Sequence, residues 1–233
     1  LELEGGAALA AGSALTLAAG STLELDDSHT LGTLAGSGRV ALSAHTLTLD
    51  TATASSFAGA IGGTGRLVKN GGGSLLLSGA NGFTGGTTVG AGTLVLAGGA
   101  ALADGGALAL AAGSALQLDA SETVGALSGA GAVVLGAHTL TVDTASASSF
   151  GGDIGGSGSV VKQGGGSLAL TGNNAVGGGT RVVAGTLLLG SSTALADAAA
   201  VQVDTGATLQ LQVDKTLGSL AGTGAVALGG HTL

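Results

Sequence analysis

Three histidines set the ruler of this chain. His45, His138 and His231 stand 93 residues apart, and the same step carries Phe57 to Phe150, Lys69 to Lys162 and Leu23 through Leu116 to Leu209. No insertion or deletion breaks that register across 233 residues, so the chain is about two and a half copies of one 93-residue unit. An unbroken internal period points to stacked supersecondary units in place of one closed globule. The sequence also starts and stops inside a unit: residues 45–50 read HTLTLD and 138–143 read HTLTVD, whereas the last three residues are His231-Thr232-Leu233. It is therefore expected to be a fragment of a longer chain.

Inside each unit, short Leu-x-Leu runs alternate with Gly/Ser turns. Leu15-Thr16-Leu17, Leu47-Thr48-Leu49, Leu75-Leu76-Leu77 and Leu116-Gln117-Leu118 are examples. Period-two alternation means strands with one buried and one exposed face. The copies tell the faces apart: Leu23, Leu116 and Leu209 are invariant, while the residue after each runs Glu24, Gln117, Gln210. With 49 Gly the chain is a poor helix former, because each interior Gly costs about 1 kcal/mol relative to Ala. Collagen needs Pro, of which there is none, and a mean hydropathy of +0.60 argues against disorder.

Roughly eleven or twelve strands per unit fit either a β-sandwich or a parallel β-helix. A sandwich closes on itself, whereas a solenoid runs on in register, so the sequence favours a single continuous β-solenoid over residues 1–233. Three strands per turn then give about four turns per unit and about ten in all, a rod about 50 Å long at ~4.8 Å per turn.

Charge narrows the partners. Six Lys+Arg against 14 Asp+Glu give −8, and the only aromatics are three Phe. A nucleic-acid surface needs a basic stripe with stacking rings. The window 123–142 has no formally charged residue but is broken by Gly, Ser, Thr and His, unlike a spanning helix, and three Phe cannot furnish the girdles of a membrane barrel. The segment is expected to bind no nucleic acid and to lie outside the membrane. With no cysteine it has neither disulfides nor thiolate chemistry.

Residues 68–96 read VKNGGGSLLLSGANGFTGGTTVGAGTLVL. This stretch resembles the autotransporter-associated β-strand repeat of bacterial passenger domains, at Leu67, Lys69, Gly71, Gly73, Leu75, Leu77, Gly79, Asn81, Gly85, Gly86, Thr87, Val89, Gly92, Thr93 and Leu94. Residues 161–189 repeat the pattern from Lys162 through Asn174 to Gly185 and Leu187, with Val176 where the first copy has Phe83. The resemblance implies a right-handed parallel β-helix, exported and displayed at the surface of a Gram-negative bacterium, and joined to a translocating β-barrel elsewhere in its parent chain.

Chemistry-bearing residues are sparse, and each has a plain structural reading. Histidines one unit apart lie about 19 Å from one another along the axis, too far to share a zinc ion, whose nitrogen ligands sit at about 2.1 Å. Ser43, His45 and Asp50 could be read as a triad, but Ser43 becomes Gly136 and Gly229 in the other copies. Gly62–Arg66 and Gly155–Ser159 look like calcium β-roll turns, except that Leu67 and Val160 stand where the carboxylate would be. Lys69 and Lys162 are expected to lie along a strand end, covering apolar edge and pairing with a carboxylate; the alternative is contact with an anionic surface. Thr46-x-Thr48 and Thr139-x-Thr141 are of the kind found on ice-binding solenoids, but they recur only once per unit. Carboxylates are scattered, apart from Asp26-Asp27, so the clustering that a polysaccharide-cleaving β-helix needs is missing.

The expectation is accordingly a segment without enzymatic activity, with no catalytic, cofactor-binding or metal-binding residues and no cofactor. It would serve as a stalk or adhesin segment of a secreted passenger. Its partners would be host or neighbouring-cell surface molecules, or further copies of itself through outward residues such as Thr48, Gln117 and Gln210.

Overall fold

The computed structural model describes residues 2–3 and 9–233. Its described residues form strands and turns, and all strand pairings are parallel between successive turns. The strands make three faces. The first is an eleven-stranded sheet from His29–Leu31 to Ala225–Ala227, giving about eleven turns. The second is a nine-stranded sheet from Ala14–Leu17 to Ala175–Val176. A four-stranded sheet ending at Ala60–Gly62 and a six-stranded one beginning at Glu122–Val124 share the third.

Alternation places the leucines. Leu75, Leu94, Leu116, Val133 and Ile154 are successive register partners, each no more than 1 % exposed. Every such Leu or Val taken from water contributes about 1.5–3 kcal/mol, and identical neighbours above and below let the column extend without a new packing solution at each turn. Phe57, Phe83 and Phe150 are all buried in the same core. Val176 fills the position of Phe83 and is also buried, so the second copy manages that turn with an aliphatic.

The corner at Ser43 explains one departure between copies. Ser43 has φ +52°, and its equivalents Gly136 and Gly229 have φ +57° and +61°. The backbone demands a left-handed conformation there, which glycine adopts freely and serine at a cost.

Two sequence expectations change. Ten turns separate His29 from Ala225 on the first face, so a turn averages about 20 residues and the unit spans about four and two-thirds turns, not four. Equivalent strands therefore fall on different faces: Ala14–Leu17 is on the second, Ala107–Leu110 on the first and Ala200–Val203 on the third. The threonines are also closer than one per unit. Thr30 pairs directly with Thr48, which continues through Val68 to Thr88 in one outward column. The column arises between non-equivalent positions, which a comparison of copies cannot reveal.

Candidate functional site

The strand Arg66–Asn70 alternates exposed Arg66, buried Leu67, half-buried Val68, buried Lys69 and half-buried Asn70. Lys69 thus points inward, in register between Leu49 and Val89, and is 0 % exposed. Its ammonium donates to three carbonyls: Asn70 at 2.7 Å, Gly71 at 2.8 Å and Ala91 at 3.0 Å. Lys162 does the same with Gln163, Gly164 and Ala184, at 2.7, 2.8 and 3.1 Å. Three N–H groups meet three oxygens, which satisfies every donor of the ammonium. Burial lowers both lysine pKa values, against the opposing fields of Asp50 and Asp143.

This overturns both sequence readings of these lysines. They neither cover an edge beside a carboxylate nor face an anionic surface. The inward parity of the strand was legible, since Lys69 has the same parity as Leu67, but a charge at that position ran against the ordinary rule for cores.

The motif glycines belong to the same nest. Gly71 and Gly92 have φ +72° and +68°, and a Cβ on Gly92 would lie 2.8 Å from the Lys69 nitrogen. Only glycine lets this corner turn its carbonyls inward with room for the ammonium.

A second set of buried polar groups bridges the gap in the third face. There the strand is replaced by loops, and Asn81 supplies the missing pairing. Its Oδ1 accepts from the Ile61 N–H at 2.7 Å, and its Nδ2 donates to the Ala101 carbonyl at 2.7 Å. One turn further, the Glu122 carboxylate accepts from the N–H groups of Ala101 at 3.2 Å and Leu102 at 2.9 Å. Desolvation raises the Glu122 pKa; the two N–H bonds work against that rise, and Asp104 adds to it. In the next copy Asn174 links Ile154 to Ala194, both at 2.8 Å, on the second face.

The equivalent of Glu122 is Lys215, whose ammonium donates to the Ser192 carbonyl at 2.7 Å and to Asp197 at 2.9 Å. The same position in the first copy is His29, also buried. One structural position therefore holds His, Glu and Lys in turn. Nothing in the composition pointed to it, although lining up the three copies displays the variation.

The remaining candidates are dispersed. His45, His138 and His231 are corner residues whose backbone N–H groups donate to Leu42, Leu135 and Leu228. No hydrogen bond joins Ser43 to His45 or Asp50 among the described residues. Leu67 and Val160, after the Gly62 and Gly155 turns, face the core. Asp26 and Asp27 are exposed at a corner. Among the described residues no three His, Asp or Glu side chains gather as a metal cluster, and no helix is long and apolar enough to cross a membrane.

The lysine nest and the asparagine bridge fall within two segments, 67–96 and 160–189, which match the Passenger-associated-transport-repeat. The chain carries two copies of this transport repeat. Over 136 residues it is also 53 % identical to "Adhesin BmaC autotransporter" of Brucella suis biovar 1 (strain 1330), a match covering 58 % of this chain and 4 % of that protein. The chain thus spans a small fraction of the relative's length. No solved structure matches it significantly. In both transport repeats the Lys, the Asn and the surrounding glycines serve the backbone of adjacent turns, so the motif is a construction element of the solenoid.

Proposed function

We propose that this chain is a shaft segment of an autotransporter passenger, part of a longer protein continuous with a translocator β-barrel. It would stand outside the outer membrane of a Gram-negative bacterium and hold or contribute an adhesive surface. The supporting observation is that both transport repeats sit in register inside the parallel stack, with their buried polar groups joined to the turns above and below. Such a rod gains stability turn by turn as each added coil buries apolar surface, which can bias an emerging chain outward. The role is structural and non-enzymatic, in keeping with a relative named as an adhesin.

Deleting residues 94–186, one whole unit, tests this reading. The shortened chain is expected to keep its β signal per residue and to lose about 22 Å of length in small-angle scattering. Fused to an autotransporter barrel in a Gram-negative host, the full segment is expected to become accessible to external protease. A shortened chain that fails to fold, or a fusion retained inside the cell, would refute the shaft.

A second reading makes the faces themselves adhesive. The outward column Thr30, Thr48, Val68, Thr88, Ala109, Ser128 on the first face carries no charge over six turns. Such a strip meets a partner, or another copy, without like-charge repulsion at the contact, although the net charge opposes approach at low salt. Sedimentation at two ionic strengths separates the readings: a monomer throughout favours the passive shaft.

A further inference from the structure

The repeat and the turn are out of step, and this has a consequence for display. Thr22–Leu25 lies on the third face, its equivalent Ala115–Leu118 on the second and Thr208–Leu211 on the first. Thr33–Gly36, Ala126–Gly129 and Ser219–Gly222 shift in the same sense, from second to first to third. Three sides to a turn and about four and two-thirds turns to a unit leave each copy rotated by one side relative to the last. The shift is built into the interior. The asparagine bridge spans a gap in the third face at Asn81, and at Asn174 it joins the last strands of the second face to the loop at Ala194, so the core device moves round with the surface.

We propose that the 93-residue unit is an indexing device: each copy presents the same surface to the next side of the rod, one third of a turn round and about 22 Å along. A feature carried once per unit returns to a given side only after three units, about 67 Å. A flat surface lying along the rod meets every third copy of a patch, whereas dispersed partners approaching from any direction reach all of them. Gain or loss of one unit also re-aims whatever the chain carries beyond it by a third of a turn. The value of this for adhesion rests on the shaft-and-display reading; the geometry does not.

Two exposed corner glycines allow a direct test. Gly72 joins a first-face strand to a second-face strand, and its equivalent Gly165 joins a third-face strand to a first-face one; neither has an atom within 4 Å of a Cβ position. The same short epitope is inserted at both positions, and the chain is mixed with excess Fab. Each Fab domain is roughly 30 Å across, wider than the 22 Å axial step, so two Fabs fit only if they leave different edges. The expected result is two Fabs per chain by mass, pointing about a third of a turn apart in negative-stain images. Epitopes at Gly165 and Gly206, on one edge two turns apart, are expected to admit one.

One Fab on the Gly72/Gly165 chain, or two leaving the same side, overturns the proposal. If the insertions prevent folding, Gly72→Cys and Gly165→Cys coupled to biotin and counted with monovalent streptavidin give the same two-against-one readout. These counts ignore adhesion, so an indexed rod that does not adhere rejects the display role while leaving the geometry standing.

Discussion

Replacing Lys69 by Met removes the ammonium while keeping an apolar stem of similar length in the core column. Three carbonyls lose their charged donor, but not equally. The Asn70 oxygen still accepts the Thr51 N–H at 3.1 Å, whereas those of Gly71 and Ala91 have no other donor among the described residues. Two buried acceptors left unpaired cost about 1–3 kcal/mol each. Relief from burying a charge offsets part of this, since a hydrophobic replacement escapes the desolvation penalty of the ion. The expected net loss is about 2–4 kcal/mol. Lys162→Met faces the same arithmetic, because Gln163 keeps the Thr144 N–H at 3.2 Å. The two sites lie about 22 Å apart with no shared partner, so the double variant should lose the sum to within about 0.5 kcal/mol. Urea unfolding followed by far-ultraviolet circular dichroism suits a chain without Trp or Tyr. A Lys69→Met variant as stable as the parent, or more stable, would show that the ammonium is tolerated and not required.

Asn81→Leu leaves the Ile61 N–H and the Ala101 carbonyl without their bridge; a loss of about 2–5 kcal/mol is expected, with faster amide exchange at Ile61 as the local readout. Glu122→Gln probes pH. The folded pKa of Glu122 lies above its ordinary value of 4.5, so between the two values the folded chain binds more protons than the unfolded one. The parent should therefore gain stability over Glu122→Gln as pH falls from neutral toward 4.5, and the opposite slope would reject the assigned burial. Ser43→Gly should raise stability slightly, by up to about 1 kcal/mol, since relief at φ +52° exceeds the added freedom of the unfolded chain; a loss in thermal unfolding would contradict the strain.

Most of the solenoid was legible because its physics is local. Leu-x-Leu alternation names the inner face of each strand, and the invariance of Leu23, Leu116 and Leu209 beside Glu24, Gln117 and Gln210 fixes which side tolerates water. The number of turns per unit was less accessible, because some sides are loops and not strands. The 79–85 and 99–106 stretches read as turns, yet each closes a side of the prism through Asn81 and Glu122. Counting strands alone therefore undercounts sides. The lysines were misplaced for a different reason: composition rules send a lone cation to the surface, and only the local geometry of Gly71 and Gly92 shows a polar nest waiting inside.

Those nests answer a problem that the leucine columns create. A stack of near-identical Leu-x-Leu strands is poorly protected against slipping by two residues, because the slipped strand still presents leucine inward. Lys69 cannot slip without leaving its three carbonyls, and Asn81 cannot without vacating two backbone partners in different turns. Each transport repeat thus holds a pair of polar pins whose misplacement strands buried charge or unpaired amides, penalties several times larger than the difference between one leucine contact and another. Specificity of register, more than net stability, is then what these residues supply. On that view Lys69→Met combined with Asn81→Leu should broaden the distribution of folded states as well as lower the unfolding midpoint. The measurable sign is a smaller urea dependence of unfolding than in either single variant, because slipped turns blur a cooperative transition. An unchanged slope would leave the pins as ordinary stabilising contacts.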